Sequence, residues 1–97
     1  MKLLWQDHAK TEFREALQYY LDHAGETVTQ DFRQEIQRVI RQLREHPESG
    51  MRIRHEARRF PVHDFPFHVI YRVATDALIV VALAHQSRRP GYWAGRR

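Results

Sequence analysis

The sequence predicts an α+β fold with the element order β-α-α-β-β-β, and two observations lead to it. Between residues 9 and 43, apolar residues recur at spacings of three and four, the period of an amphipathic helix. After Pro47 to Gly50 the period changes towards two, the alternation typical of strands. A chain of 97 residues is also the size of one compact domain, because chains usually divide only beyond about 250 residues. We therefore expect a single domain over residues 1 to 97.

The first half is predicted to form a short strand followed by two helices. Met1 to Trp5 is an apolar run long enough for one strand, and Asp7 is placed to cap the helix that follows. Gly25 suits the left-handed position that closes this helix, and Pro47 forbids continuation of the next one. Because few residues separate the helices, they should fold back as an antiparallel hairpin. The apolar stripes are Ala9, Phe13, Ala16, Leu17, Tyr20 and Leu21 and, with Thr27 and Gln30 as a capping box, Val28, Phe32, Ile36, Val39, Ile40 and Leu43.

Three extended segments are predicted in the second half. The second strand of the fold lies within Ile53 to His63, and the third covers Phe67 to Ala74 with alternating faces. The fourth, Leu78 to His85, is apolar on both faces, so we expect it to be central and covered on one side by the helices. Pro61 and Pro66 cannot donate ladder hydrogen bonds, which predicts an edge, a loop or a bulge around them.

Charge is distributed unevenly along the chain. Residues 1 to 50 contain seven Lys or Arg against nine Asp or Glu, a net charge of −2, whereas residues 51 to 97 contain nine against three, a net charge of +6. Fourteen of the sixteen cations are Arg, whose guanidinium group binds phosphate or carboxylate through two hydrogen bonds at once. An anionic partner is therefore indicated, either nucleic acid or an acidic protein, with a merely solvated basic surface as the alternative.

Composition also excludes several classes of protein. Cysteine is absent, which excludes disulfides, thiolate metal sites and a Cys nucleophile. The longest apolar stretch, Ala77 to Ala84, is far shorter than the roughly 20 residues that span a bilayer, and no signal peptide precedes it, so we expect a cytoplasmic protein with no membrane partner. The seven His residues lack the spacing of metal ligands, and neither Ser sits in a nucleophile motif. We expect no metal and no cofactor.

Three ordered pieces of the chain carry a resemblance to a known family. The start MKLLWQDHAKTEFREALQYY, the segment ARRFPVHDFPFHVIYRV and the segment LIVVALAHQSRRPGYW together resemble the RelE/ParE superfamily of type II toxins, nearest the ParE branch. The resemblance covers nearly the whole chain. It implies an antiparallel sheet with a helical hairpin packed on one face, and a cognate antitoxin that wraps the domain and neutralises it.

The C-terminal stretch, residues 86 to 97, is rich in Arg, Gly and Pro and predicts a mobile arm. Its residues Arg88, Arg89, Tyr92 and Trp93 match an "RRxxxW" ending of the ParE branch. That resemblance implies a toxin that inhibits DNA gyrase by binding, without a chemical step, and these four residues are the predicted target contacts. The alternative is that Trp93 folds back and covers the core.

A ribosome-dependent mRNA interferase of the RelE type is the alternative function. RNA cleavage needs a base, an acid and cations against the charge that develops on the phosphate, and His68, Arg72 and His85 could converge on the open sheet face. The resemblance argues against it, because interferases typically place a catalytic Arg where this chain has His68. We therefore predict no catalytic residue, with these three as the endoribonuclease alternative. Nucleic acid would be met through the gyrase-DNA complex or the ribosome.

Trp5, Leu17 and Tyr20 lie at the edge of the helical stripes and are the predicted antitoxin contacts. A groove beside them would accept an amphipathic helix. The charge asymmetry predicts that the antitoxin is acidic along one flank. A third possibility is a binding module derived from this fold that is not toxic.

Overall fold

The computed structural model describes residues 1 to 96. It contains one helical segment and a five-stranded sheet in the strand order β1-β5-β4-β3-β2. No helix in this part of the chain is both long and apolar enough to cross a membrane. The elements are β1 (Lys2–Trp5), α1 (Asp7–Glu45), a 3-10 turn (Pro47–Ser49), β2 (Met51–Arg52), β3 (Arg58–Pro61), β4 (Phe67–Val73) and β5 (Ala77–His85).

The α1 segment is folded into a hairpin at Gly25, as the sequence predicts. Gly25 has φ 88° and ψ 178°, a conformation that is essentially restricted to glycine, and it interrupts the helix. A straight helix of 39 residues would be about 58 Å long, whereas the longest extent of the whole domain is 39 Å. The rings of Phe13 and Phe32, on opposite arms, lie 6.1 Å apart. We refer to residues 7–24 as the first arm and to residues 26–45 as the second arm.

The capping residues differ from those predicted. The residue that precedes the first arm is Gln6, so Asp7 is the first helical residue, where its charge still favours the helix N-terminus. Because the break falls on the single residue Gly25, Thr27 lies inside the first turn of the second arm and is exposed. The Thr29 hydroxyl donates a hydrogen bond of 2.8 Å to the Gly25 carbonyl, which is not a cap because it satisfies no N–H of the first turn.

The predicted α+β class is confirmed, but the sheet is mixed and has five strands, which corrects the expectation of an antiparallel sheet of four strands. β1 pairs with β5 in parallel, over Lys2–Trp5 and Ala77–Val80, while the other pairs are antiparallel. Only strands joined by a tight turn must be antiparallel, and the whole hairpin separates β1 from the rest of the sheet. The short strand β2 is the element that the sequence did not predict. The predicted strands at Phe67 to Ala74 and Leu78 to His85 are confirmed as β4 and β5, with β5 central between β1 and β4.

Pro61 ends β3 and lies on a free edge, as its missing N–H requires. β2 pairs only with Arg58 and Arg59, so no strand faces Pro61 on that side. Between β4 and β5 the register shifts at Ile70, which pairs with Ala82, and Tyr71, which pairs with Val80. The two faces of the sheet carry separate cores, because the helices cover one face and Trp93 covers the other. Core side chains on the helical side include Phe32, Ile36, Leu43, Val69, Tyr71 and Leu78, and those on the opposite side are Ala57, Ile70, Val81, Ala82, Ala84 and Trp93.

Candidate functional site

The C-terminal segment, residues 86–96, packs against the sheet face opposite the helices. Trp93 is only 5% exposed and belongs to the second core. The C-terminal segment is therefore packed rather than extended as an arm. The structure has the alternative arrangement, in which Trp93 covers the core. The physical reason is that Ala82 and Ala84 leave a shallow apolar surface on this face, which one indole ring can cover. Arg97, the last residue of the predicted arm, lies outside the described residues.

Glu12 holds the C-terminal segment in place. Its carboxylate accepts hydrogen bonds from Arg96 (2.8 and 3.0 Å), from the Tyr92 hydroxyl (2.6 Å) and from the backbone N–H of Leu83 (3.0 Å). Arg96 also donates to the Val81 carbonyl at 3.0 Å. β1 pairs with β5 only as far as Val80, so this ion pair satisfies an edge of β5 that no strand covers.

The electrostatics of this clamp follow from its burial. Burial raises the pKa of Glu12, but the hydrogen bonds from Arg96, Tyr92 and Leu83 together lower it below its ordinary value of 4.5. Burial and the neighbouring carboxylate raise the pKa of the Tyr92 hydroxyl. Sequence reasoning missed Glu12 and Arg96, because the partners are 84 residues apart and neither belongs to a motif.

The four predicted target contacts divide into two pairs. Arg88 and Arg89 are exposed, whereas Tyr92 is half-buried and Trp93 is buried. The guanidinium carbon of Arg88 lies 3.9 Å from the centre of the Tyr92 ring, a stacked cation-π contact. Only the two arginines therefore present their side chains to a partner in this structure.

A cleft of about 720 Å³ lies between the C-terminal segment and the open face of the sheet, and we call it the sheet cleft. Seven of its lining residues are Arg or His, and none is Asp or Glu. His68 is on the wall with no hydrogen-bond partner for its buried Nδ1 atom, and burial together with the charge of Arg59 lowers its pKa. The Arg and His residues of the sheet cleft are Arg54, His55, Arg59, His68, His85, Arg88 and Arg89.

The three residues of the ribonuclease alternative do not converge. His68 and His85 line the sheet cleft, but Arg72 donates hydrogen bonds to the carbonyls of His55 (3.0 Å) and Arg96 (2.9 Å). Four residues along a strand separate His68 and Arg72 by about 13 Å, so Arg72 reaches the far end of the C-terminal segment instead. Among residues 1–96, no group of three or more His, Asp or Glu side chains is arranged to hold a metal ion.

A second cleft, of about 750 Å³, lies between the two arms and β1, and we call it the hairpin groove. Its floor is apolar and includes the stacked rings of Trp5 and Phe13, whose centres are 5.5 Å apart. Five cations and a single acid, Glu45, surround that floor. The apolar residues are Leu3, Trp5, Phe13, Ile36 and Ile40, and the cations are Lys10, Arg14, Arg33, Arg41 and Arg44.

The predicted antitoxin contacts are not brought together. Trp5 lines the hairpin groove, but Tyr20 packs against Phe32 and Phe65 with ring centres 5.0 and 5.3 Å apart. Leu17 packs against the helical-side core. Helical periodicity identified Leu17 and Tyr20 as stripe residues with Trp5 at the edge of the stripe, yet it does not show which part of a stripe the other arm covers.

Comparison with known proteins gives two findings. The family described as "ParE toxin of type II toxin-antitoxin system, parDE" matches residues 3–90. A solved structure, "Chromosomal ParDE TA system from P. aeruginosa", superimposes with a TM-score of 0.76 at 17% sequence identity, and the match covers 88% of this chain and 95% of that one. No curated protein matches the sequence.

Proposed function

Because the chain belongs to the ParE toxin family of type II toxin-antitoxin systems, we propose that it inhibits DNA gyrase by binding and is neutralised by an acidic antitoxin in the hairpin groove. It acts in the cytoplasm, and gyrase inhibition involves no bond made or broken by this chain. The observation that carries the antitoxin part of the proposal, beyond the family, is the hairpin groove with its apolar floor and basic rim.

The hairpin groove has the chemistry that an amphipathic acidic helix recognises. Its apolar floor would bury the apolar face of such a helix, and the cations on its rim would pair with the acidic flank. Arg33 and Arg41 lie eight residues apart on the second arm, so they repeat along one flank of the helix. An antitoxin at a hundred times its dissociation constant would stabilise the domain by about 2.7 kcal/mol.

Arg33 and Arg41 provide the test of antitoxin docking. Replacing both by Glu should weaken a candidate antitoxin at least about tenfold, because like charges then face its acidic flank. The variant with Lys2→Glu and Arg52→Glu has the same net charge but changes exposed residues outside both clefts. Thermal melts with and without antitoxin measure the binding. An equal loss in both variants, or no thermal shift with the unmodified chain, would contradict docking in the hairpin groove.

The target contacts that the structure leaves accessible are Arg88 and Arg89. Arg is among the residues that dominate binding hot spots, and stacking on Tyr92 restricts the Arg88 side chain before binding. Trp93 then contributes indirectly, because its buried side chain anchors the turn that presents both arginines. This replaces the expectation that Trp93 itself touches gyrase.

A supercoiling assay tests gyrase inhibition directly. The unmodified chain should inhibit supercoiling, and Arg88→Ala with Arg89→Ala should raise the inhibitory concentration by about 30-fold, since one hot-spot contact is worth about 2 kcal/mol. Lys2→Ala with Arg52→Ala removes the same two charges at exposed positions outside both clefts and is the matched control. Undisturbed supercoiling with the unmodified chain would overturn the proposal.

The same preparation distinguishes the alternatives. Cleavage of ribosome-bound mRNA that is lost in His68→Ala with His85→Ala would establish the interferase function instead. No effect on either gyrase or mRNA would identify a binding module without toxicity. Arg72 already donates hydrogen bonds to two backbone carbonyls, which argues against a role for its guanidinium group in binding a phosphate or in cleavage.

A further inference from the structure

The turn that follows β5 contains a serine and a histidine in direct contact. We propose that Ser87 is a covalent modification site, a nucleophile that His85 activates and that takes a phosphoryl group from a small acyl phosphate. A hydroxyl is activated when a base lies within about 2.6 to 3.2 Å of it, and the Ser87 Oγ atom lies 2.7 Å from Nδ1 of His85. The site itself does not depend on gyrase inhibition, and only its effect on activity rests on the proposed function.

The backbone of the turn and a neighbouring ring hold this pair in place. The Arg88 N–H donates a hydrogen bond of 2.9 Å to the His85 carbonyl, which closes a β-turn. The Gln86 N–H donates to the Pro66 carbonyl at 2.9 Å, which ties the turn to the loop before β4. Phe67 contacts the imidazole edge-to-face, with ring centres 5.0 Å apart. The histidine is therefore oriented before any reagent arrives.

The direction of the hydrogen bond between the two side chains follows from a second contact. The backbone N–H of Ser87 donates to the same Nδ1 atom of His85 at 3.0 Å, and a backbone N–H can only donate. In the neutral ring Nδ1 therefore carries a lone pair, and the proton lies on Nε2. It follows that the Ser87 hydroxyl donates to Nδ1. This is the arrangement from which a hydroxyl loses its proton to a base.

The charges around Ser87 favour an anionic electrophile over a neutral one. Arg88 and Arg89 follow it directly in the chain, and the serine and both arginines are exposed. Arginine side chains stabilise the charge that develops on the oxygens of a transferring phosphoryl group. Ser49 is the one other serine of the sequence, and it is also exposed. Its hydroxyl accepts a hydrogen bond of 3.2 Å from the Gln42 amide, so it provides a comparison without an activating base.

Phosphoryl transfer from an acyl phosphate to this serine needs no further reactant. A lone pair on Oγ of Ser87 forms the new bond to phosphorus. The bond from phosphorus to the acyl oxygen breaks, and its electron pair leaves with the carboxylate. The hydroxyl proton passes to Nδ1 of His85 and from the imidazolium to solvent. The products are phosphoserine and a free carboxylate.

A phosphate on Ser87 would change the surface that presents Arg88 and Arg89. It adds about 1.5 to 2 negative charges and three strong acceptor oxygens, and guanidinium groups bind such oxygens through two hydrogen bonds at once. The guanidinium carbon of Arg88 now lies 3.9 Å from the centre of the Tyr92 ring, and pairing with the phosphate would compete with this contact. Phosphorylation would therefore switch off the gyrase inhibition proposed above.

Mass spectrometry of the full chain after incubation with acetyl phosphate tests the proposal. The two serines fall in different tryptic peptides, because arginines lie between them. We expect acid-stable phosphate on Ser87 to form at least about tenfold faster than on Ser49. Equal labelling of both serines, or acid-labile phosphate on histidine alone, would overturn the proposal. An acetyl group on Ser87 in place of phosphate would overturn the assignment of a phosphoryl acceptor.

Two measurements test the role of the histidine. His85→Ala should slow the labelling of Ser87 at least about tenfold, whereas His8→Ala, at an exposed position on the first arm, should leave it unchanged. Equal rates in the two variants would contradict activation by His85. Because the His85 ring packs on Phe67, its replacement also affects packing, so NMR of the unmodified chain provides the second measurement. Nδ1 of His85 should be unprotonated in the neutral ring, and a proton on that atom would overturn the proposal.

A supercoiling assay on the labelled protein separates this proposal from the proposed function. The unmodified chain should lose inhibition at least about tenfold after treatment with acetyl phosphate, whereas Ser87→Ala should inhibit equally before and after treatment. Labelled protein that inhibits as well as unlabelled protein would contradict the switch. Labelling of Ser87 in a chain that never inhibits gyrase would overturn the function proposed above alone. Inhibition of gyrase by a chain that acetyl phosphate does not label would overturn this proposal alone.

Discussion

The hairpin groove and the sheet cleft are similar in size and both are basic, but they differ in what surrounds the charge. The groove is about 750 Å³ and its cations surround an apolar floor, whereas the cleft is about 720 Å³ and its arginines and histidines form much of its wall. Helical arms present cations along a flank beside their apolar stripe. Strands and turns bring cations from distant parts of the chain to one face. The first geometry fits an amphipathic helix, and the second fits a compact anion.

The two regions also depend differently on the C-terminal segment. The hairpin groove is lined by β1 and the two arms only, with no residue beyond Glu45. The sheet cleft takes one wall from residues 86–94. Glu12 connects them, since it lies on the first arm and holds Arg96 and Tyr92. Changes to the clamp should therefore alter the cleft and leave the groove intact.

Among the changes that separate the two regions, Trp93→Ala should have the largest effect on stability. The indole is 5% exposed in a small core of alanines, Ile70 and Val81, so its loss should destabilise the domain by about 3 to 5 kcal/mol. A urea melt measures the shift. Trp5→Ala, at a half-buried position in the hairpin groove, is the control and should cost less. A normal midpoint for Trp93→Ala would show that the C-terminal segment does not depend on its burial.

Glu12→Ala should have the second largest effect and lower the free energy of unfolding by about 3 kcal/mol. The reason is that the Leu83 N–H, the Tyr92 hydroxyl and Arg96 all lose their acceptor. Glu15→Ala, at an exposed position on the same arm, should change stability by less than about 0.5 kcal/mol. Urea melts measure both. Gyrase inhibition should fall in the Glu12 variant while antitoxin binding persists, and equal loss of both would contradict the independence of the two regions.

The clamp also predicts how stability depends on pH. The folded-state pKa of Glu12 lies below its ordinary value of 4.5, so its contribution is present above pH 4.5 and is lost as the pH falls through the folded-state value. Urea midpoints from pH 6 down to the acid limit should therefore decline less steeply in Glu12→Ala than in the unmodified chain. If the urea midpoints of the two proteins fell equally with pH, another carboxylate would be responsible for the loss of stability in acid.

Gly25→Ala tests the hairpin and should have a smaller effect. No atom lies within 4 Å of the added methyl group, but a φ of +88° strains any residue with a Cβ atom. We therefore expect the free energy of unfolding to fall by about 1 to 2 kcal/mol. Gly95→Ala, which also has open space and no positive φ, is the matched control and should be near neutral. Thermal melts and antitoxin titrations of both variants measure the effect. Equal stability would show that the break tolerates a side chain.

The sequence by itself determined the elements whose pattern is local. Apolar spacing identified the two arms and the central strand β5, and Gly25 was identified as the break because glycine suits the positive φ that closes a helix. Local patterns suffice here because they record which side of an element is buried. The same patterns predicted a groove beside Trp5 and an open-face position for His68, and the structure has Trp5 in the hairpin groove and His68 in the sheet cleft.

Only the tertiary structure decided the contacts between residues far apart in the chain. The parallel pairing of β1 with β5, the burial of Trp93 and the Glu12 clamp all join the two ends of the chain. The Arg-rich ending has no apolar period, so composition predicted an arm free of the core. Its packing depends on a shallow alanine surface, a strand edge without a partner and one carboxylate on a helix. Those three features occur together only after the sheet and the hairpin have formed, and no spacing in the sequence encodes them.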